Sequence, residues 1–140
     1  MSRFVFRRLI DPIVEFLFPP LCLSCDERLS SESERVLCAR CRGKLERVRD
    51  GDFTMRVLSA RFVQGGAVAA FTAAYYFEDH GILQPVIHAL KYRDMTSIGR
   101  VFGRELGAVL KTHPAFHDCN LIIPIPLHIQ KERERGHNQS

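Results

Sequence analysis

The sequence lacks the features that mark membrane-spanning and secreted proteins. Its first twenty residues, MSRFVFRRLIDPIVEFLFPP, are apolar in places, but Arg7, Arg8, Asp11 and Glu15 interrupt the apolar run. A membrane-spanning helix needs about 20 predominantly apolar residues, and a secretory leader ends in a small-x-small cleavage site. The sequence therefore predicts no membrane span and a short amphipathic helix over residues 1–20, with Asp11 as its N-cap. A helix that lies on a membrane surface is the alternative.

The chain also lacks a strong excess of one charge and any recognisable catalytic arrangement. Its 20 Lys and Arg residues against 16 Asp and Glu residues leave a net charge of +4 over 140 residues. A nucleic-acid-binding domain usually has a marked basic face, so this charge is weak support for such a function. We find no acid–base pair, Ser/His/Asp arrangement or Gly-rich nucleotide loop, so the residues by themselves predict no catalysis.

What the chain does have is cysteine. Four of its five cysteines form two Cys-x-x-Cys pairs, Cys22 with Cys25 and Cys38 with Cys41, separated by twelve residues. Two residues between thiolates let both sulfurs lie ~2.3 Å from one metal ion, and a second pair completes a tetrahedron. The sequence predicts a zinc ribbon over residues 21–49. Because all four ligands are protein thiolates, the Zn²⁺ is expected to be structural rather than catalytic.

Other uses of paired cysteines are weighed against zinc. Disulfides need an oxidising compartment, a redox Cys-x-x-Cys pair needs a βαβ context, and an iron–sulfur cluster can also use four thiolates. Without a secretory leader we expect the chain in the reducing cytoplasm, where thiols bind metals more often than they pair. The fifth cysteine, Cys119, precedes an apolar segment and is predicted to be a small buried residue.

A basic stretch overlaps and follows the second cysteine pair, and two interpretations remain open for it. It could contact the phosphate backbone of single-stranded DNA, or it could be a solvated helix face around Leu45 and Val48. The candidate nucleic-acid contacts are Arg40, Arg42, Lys44 and Arg47.

The remainder of the chain predicts an α/β domain. Residues 50–66 contain turn signals and are predicted to be a linker. Over residues 67–140 we expect an aromatic-rich strand, two amphipathic helices and the apolar strand Leu121–Ile123. Strand, helix, helix and strand in this order suit an α/β domain, although two strands are few for a sheet. The final segment, HIQKERERGHNQS, is a candidate anion-binding loop or a solvated charge run.

These motifs together resemble the ComF family of phosphoribosyltransferase-like proteins, which is associated with bacterial competence and DNA uptake. The resemblance is carried by the four cysteines, the Lys91–Tyr92 pair after a helix, and the C-terminal segment IIPIPLHIQKERERGHNQS. In that segment Pro124, Pro126 and Leu127 follow the strand and lead to Arg-Gly-His-Asn-Gln. His137 stands where the family usually has Phe or Tyr.

The resemblance implies an N-terminal zinc ribbon with four cysteine ligands, followed by an incomplete type I phosphoribosyltransferase-like (Rossmann-like) domain over residues 67–140, similar to amidophosphoribosyltransferases. It implies that Arg135, Gly136, Asn138 and Gln139 bind the diphosphate of phosphoribosyl diphosphate, with Mg²⁺ in an intact relative, and it assigns no catalytic residue. The family's phosphoribosyl-diphosphate loop has no match here, so we expect a C-terminally truncated, inactive chain. The alternative is a zinc-ribbon module that binds single-stranded DNA or a DNA-uptake helicase.

Overall fold

The computed structural model describes residues 16–30, 36–49, 51–66 and 68–140. The chain divides into two compact units, Met1–Lys44 and Leu45–Ser140. Helix α1 (Ala39–Gly43) belongs to the first unit. The second unit contains α2 (Phe53–Ser59), α3 (Leu83–Tyr92), α4 (Thr96–Thr112) and α5 (Ile129–Arg135). The π-helical turn Ala60–Gln64 continues α2, and the 3₁₀ turn Pro114–Phe116 follows α4.

The first unit is built from two short loops rather than from an extensive apolar core. An antiparallel bridge between Leu21 and Arg28 closes the first loop, and the Cys22 amide donates a hydrogen bond to the Glu27 carbonyl at 2.8 Å. Asp26 adopts a positive φ of 57° in the turn between them. A hydrogen bond from the Leu23 amide to the Val36 carbonyl, at 3.1 Å, joins this loop to the second one.

Amphipathic helices supply most of the buried residues described in the second unit. Leu83, Val86 and Ala89 are buried on one face of α3, because residues three apart lie on the same side of a helix. Ile98 is the buried residue of α4. Helices α3 and α4 pack against each other. The two amphipathic helices that the sequence predicts within residues 67–140 are therefore confirmed.

The prediction of an α/β, Rossmann-like domain is wrong. Within the described residues, β structure consists of two isolated antiparallel bridges, Leu21 to Arg28 and Arg47 to Tyr75, and there is no sheet. The predicted strand Leu121–Ile123 makes no bridge there, and Ile122 is 85% exposed. An apolar, β-branched composition favours an extended backbone, but a sheet also requires several neighbouring strands. Leu121–Ile123 has no neighbouring strand among the described residues.

Three further local predictions differ from the structure. The segment around Leu45 and Val48 is extended rather than helical, and the Val48 amide donates to the Ala74 carbonyl at 3.2 Å. Cys119 is exposed, not buried. The predicted C-terminal loop contains helix α5, because His128 caps its first turn and Gly136 ends it in a left-handed conformation.

The predicted domain boundaries at residues 20, 49 and 66 stay predictions. Helix α2 and its π-helical continuation lie within the segment that the sequence predicts to be a linker. The predicted N-terminal helix lies largely outside the described residues. Of the part that is described, Phe16 and Leu17 are helical and exposed. None of the helices in the described ranges has both the length and the apolarity needed to cross a membrane.

Candidate metal centre

The four cysteines of the two Cys-x-x-Cys pairs converge on one point. The Sγ atoms of Cys22, Cys25, Cys38 and Cys41 all lie within 4.8 Å of one another, and Cys25 Sγ is 3.7 Å from Cys38 Sγ. Tetrahedral zinc with Zn–S bonds of ~2.3 Å separates its sulfurs by about 3.8 Å, whereas a disulfide requires about 2.05 Å. The spacing fits a shared metal ion and excludes a disulfide between these sulfurs.

Local structure holds the thiols in this arrangement. Cys22 lies in the first loop, and Cys38 is the N-cap of α1, where its Sγ accepts a hydrogen bond from the Cys41 amide at 3.5 Å. Cys22, Cys38 and Cys41 are buried, while Cys25 is half-buried. Leu37 and Val36 are among the few apolar residues buried in this unit. Each loop is therefore closed by backbone contacts that point its sulfurs inward.

The close packing of the thiols shifts their pKa values in opposite directions, down for Cys22 and up for Cys38 and Cys41. Burial opposes ionisation of Cys22, but backbone N–H groups of Cys38, Ser24 and Cys25 outweigh it and lower the Cys22 pKa to about 7. Burial, with the side chains of Cys25 and Cys38, raises the pKa of Cys41 to about 12. The Cys41 amide lowers the pKa of Cys38, yet burial and neighbouring thiols raise it overall. Several thiolates can coexist at this distance only around a cation.

A charged pair lies beside the sulfurs. The Arg40 guanidinium is 3.1 Å from the Glu27 carboxylate, and its pKa is raised by the Cys25 side chain and by the charge of Glu27. Hydrogen-bond donors next to metal-bound thiolates orient them and offset part of their charge. Glu27 could not be predicted, because nothing in the cysteine motif distinguishes it from the other acidic residues between the cysteine pairs.

Two of the four predicted nucleic-acid contacts, Arg40 and Arg47, lie next to carboxylates. Arg40, Arg42 and Lys44 belong to the first unit and Arg47 to the second. Arg40 pairs with Glu27. Arg47 lies 3.5 Å from the Glu105 carboxylate and stacks 5.1 Å from the centre of the Tyr75 ring. Carboxylates therefore already oppose two of the four predicted phosphate contacts.

The structure brings together the residues that the resemblance assigns to diphosphate binding. The Arg135 guanidinium donates to Gln139 at 2.8 Å and lies 5.4 Å from the centre of the Tyr92 ring. Asn138 donates to the Ile125 carbonyl at 3.0 Å, and Gly136 has a φ of 74°. These side chains thus hold one another and the preceding segment. Their diphosphate-binding role stays a prediction.

Comparison with known proteins identifies the region around the cysteines. Residues 13–52 match the double zinc ribbon domain. This region contains all four clustered cysteines but is less than a third of the chain, and Cys119 lies outside it. No curated protein and no solved structure matches the chain. The predicted zinc ribbon is confirmed, while the comparison contains no phosphoribosyltransferase-like region and no ComF relationship.

Four thiolate donors at tetrahedral spacing fit Zn²⁺, which Cys22, Cys25, Cys38 and Cys41 would hold. When bound, the ion would supply positive charge and a rigid cross-link between the two loops. The chain's own residues would supply the thiolates, the amide donors to Cys22 and Cys38, and the flanking Arg40–Glu27 pair. The Mg²⁺ that the ComF resemblance implies has no support in this arrangement.

Proposed function

We propose that the zinc ribbon is a structural binding module that presents a surface to a protein partner. The observation that carries this proposal is the closed set of four cysteine ligands within 4.8 Å. A site with four protein ligands leaves no position for a substrate or water, so its metal shapes the polypeptide instead of activating a molecule. The function of such a module lies in the surface around the metal.

The surface beside the first loop supports a protein partner. Phe16, Leu17, Phe18 and Leu21, which we term the apolar ribbon surface, are exposed within six consecutive residues, and Phe16 and Phe18 are both 77% exposed. Scattered exposed apolar residues are ordinary, but contiguous ones often mark interaction sites. Aromatic residues are also enriched at protein interfaces.

A nucleic-acid partner is the second candidate, and the charges argue against it. Phosphate contacts need cations that are free to replace counterions, whereas Glu27 and Glu105 oppose Arg40 and Arg47. Fluorescence anisotropy with single-stranded DNA across a salt series separates the candidates. We expect weak binding; tight binding that falls steeply with salt and is lost in Lys44→Gln would favour nucleic acid.

The protein-partner proposal can be tested by photo-crosslinking in the cells that make the chain. A crosslinking amino acid at position 18 should capture one protein species, identified by mass spectrometry, and the same amino acid at exposed position 44 should not. The capture should disappear in Cys38→Ser, because the ribbon then loses its metal. Equal capture from both positions, or capture that does not depend on Cys38, would contradict the proposal.

We also propose, from the resemblance alone, a cytoplasmic role in competence with a DNA-uptake helicase as the partner. A purified helicase should bind the zinc-loaded chain with a measurable affinity, and Phe18→Ser should weaken it. Deletion of the coding sequence in a naturally competent host should lower transformation while growth is unchanged. Unchanged transformation, or no helicase binding, would remove the link to competence and leave the zinc module intact.

The same resemblance proposes diphosphate binding by Arg135, Gly136, Asn138 and Gln139. Calorimetry with phosphoribosyl diphosphate and Mg²⁺ should show weak binding at most, since Arg135 already binds Gln139 and stacks on Tyr92. Saturable heat that is lost in Arg135→Gln would support the assignment. Heat that is unchanged in that variant would place any binding elsewhere.

A further inference from the structure

A cavity in the second unit has a lining whose chemistry the zinc ribbon does not explain. Its volume is about 200 Å³, and its polar lining includes Arg49, Arg56, Ser59 and Thr72. Arg56 and Ser59 are three residues apart on α2, so they project from the same side of that helix. Arg49 precedes α2, and Thr72 lies on the extended segment that follows it. Donors thus converge on the cavity from three parts of the chain.

The charged side chains that the structure describes in the cavity lining are both positive: Arg49 and Arg56. Among the described residues, no carboxylate lines the cavity, and neither Arg49 nor Arg56 makes an ion pair. The Asp52 carboxylate, close by in sequence, accepts hydrogen bonds from the Tyr76 hydroxyl and the Arg49 backbone amide, both at 3.0 Å. Asp52 therefore stabilises the turn before α2, and both guanidinium groups lack a carboxylate partner within the part of the chain that the structure describes.

Size and shape narrow the ligand class. Guanidinium groups form paired, charge-assisted hydrogen bonds to phosphate and carboxylate oxygens. Two cations match the charge of a phosphate dianion, and donors from several directions suit a tetrahedral group better than a planar one. Cavities for drug-sized ligands usually measure ~300–1,000 Å³, so about 200 Å³ suits a phosphate with a small substituent. Met55 and Phe71 supply an apolar wall for that substituent.

We propose that this cavity binds a phosphate group, either free or as a small phosphomonoester. Arg49 and Arg56 neutralise the phosphate oxygens, and the hydroxyls of Ser59 and Thr72 donate hydrogen bonds to them. The apolar wall contacts the substituent of an ester. Because all of the described lining residues belong to the second unit, this inference is independent of the partner proposed for the zinc ribbon.

Calorimetry on the full zinc-loaded chain tests the proposal with three probes: inorganic phosphate, phenyl phosphate and benzoate. We expect saturable binding of phenyl phosphate with a Kd of ~1 mM or tighter, and weaker binding of benzoate. If phenyl phosphate binds more tightly than inorganic phosphate, the ligand is an ester; equal affinities indicate free phosphate. Failure of both phosphates to bind, or a preference for benzoate, would overturn the proposal.

Substitutions locate the binding site. Arg56→Gln and Arg49→Gln should each weaken phosphate binding by about tenfold or more, because each removes a charge-assisted contact. Arg61→Gln is the matched control, since Arg61 is also exposed and lies on the helical continuation of α2 outside the cavity lining. Arg49 and Arg56 are exposed, so neither change should disturb folding, which circular dichroism checks. Equal losses in all three variants, or none, would contradict the assignment.

Discussion

The two units of this protein differ in what holds them together. Among the described residues of the first unit, three of the buried ones are the cysteines Cys22, Cys38 and Cys41, and the only others are Leu29, Val36 and Leu37. Among the described residues of the second unit, the buried ones are apolar and lie on helices: Met55, Leu83, Val86, Ala89 and Ile98. The first unit therefore depends on metal coordination, and the second depends on the burial of apolar helical residues and on the packing of α3 against α4.

This difference has an energetic basis. Burial of one large apolar side chain contributes about 1.5–3 kcal/mol, and three such residues do not offset the conformational entropy of the loops around them. A structural zinc ion in a small site contributes an apparent ~10–16 kcal/mol near neutral pH. A few hydrophobic contacts therefore suffice in the first unit because the metal supplies most of the free energy of folding.

The largest effect that we expect comes from removing one zinc ligand. Cys38→Ser should abolish stoichiometric zinc binding and unfold the ribbon, because the remaining three thiolates lose most of the ~10–16 kcal/mol. Elemental analysis gives the zinc content, and amide hydrogen exchange should show lost protection for Leu23 and Cys41 but unchanged protection in α3. Cys119→Ser is the control, since Cys119 is exposed and outside the cluster. Retention of one zinc per chain in Cys38→Ser would refute the assignment.

Truncation of a buried apolar side chain tests the second unit. Ile98 is 1% exposed on α4, so Ile98→Ala should lower the free energy of unfolding of this unit by about 2–5 kcal/mol through lost burial and a residual cavity. Urea unfolding followed by circular dichroism measures the loss, and zinc content should stay at the wild-type value. Leu106→Ala on the same helix is the control, because Leu106 is exposed and should cost less. Loss of zinc from Ile98→Ala would show that the two units do not fold independently.

Acid should weaken the first unit selectively. Near pH 8 the Cys22 thiol is already ionised, since its pKa is about 7, but Cys38 and Cys41, whose pKa values are raised, still hold their protons. Zinc binding must then release at least those two protons, so affinity should fall by about a hundredfold for each unit that the pH is lowered. Below pH 7 Cys22 also protonates and the decline should steepen.

Calorimetry in buffers of different ionisation enthalpy counts the protons released on zinc binding. The helical signal of α3 and α4 should not follow the same pH dependence, because their buried residues do not ionise. Zinc affinity that does not vary with pH would contradict thiolate ligation.

A pair of glycine substitutions gives the smallest effect and probes the backbone of the second unit. Gly136 ends α5 with a φ of 74°, a conformation that side-chain-bearing residues adopt with strain. Gly136→Ala should therefore destabilise this unit by about 1 kcal/mol. Gly103→Ala is the matched control, because Gly103 lies inside α4 with open space around the new Cβ, and it should stabilise by about 0.5–1 kcal/mol. Thermal unfolding compares the two; effects of equal sign would contradict the geometry of α5.

Sequence reasoning worked where structure depends on neighbours along the chain. The ligand set could be predicted because two-residue spacing within each pair is a local property, and the structure brings those sulfurs together. Helices α3 and α4 could be predicted because their hydrogen bonds and apolar faces lie within single segments.

Sequence reasoning failed where structure depends on distant segments. Leu121–Ile123 has the composition of a buried strand, yet it is exposed and unpaired within the described residues, because strand formation needs partners that composition does not reveal. The pairing of Arg40 with Glu27, the opposition of Arg47 by Glu105, and the cavity beside Arg49 and Arg56 were equally hidden.

By itself, the sequence determined the zinc-binding chemistry of the first unit and the helical character of α3 and α4. Both follow from short-range spacing and periodicity. Only the tertiary structure decided that the second unit, over its described residues, is helical without a sheet, which charges are already opposed, and where two arginines line one cavity. Those features depend on contacts between residues far apart in the chain, and the energy of such contacts cannot be read from any one segment.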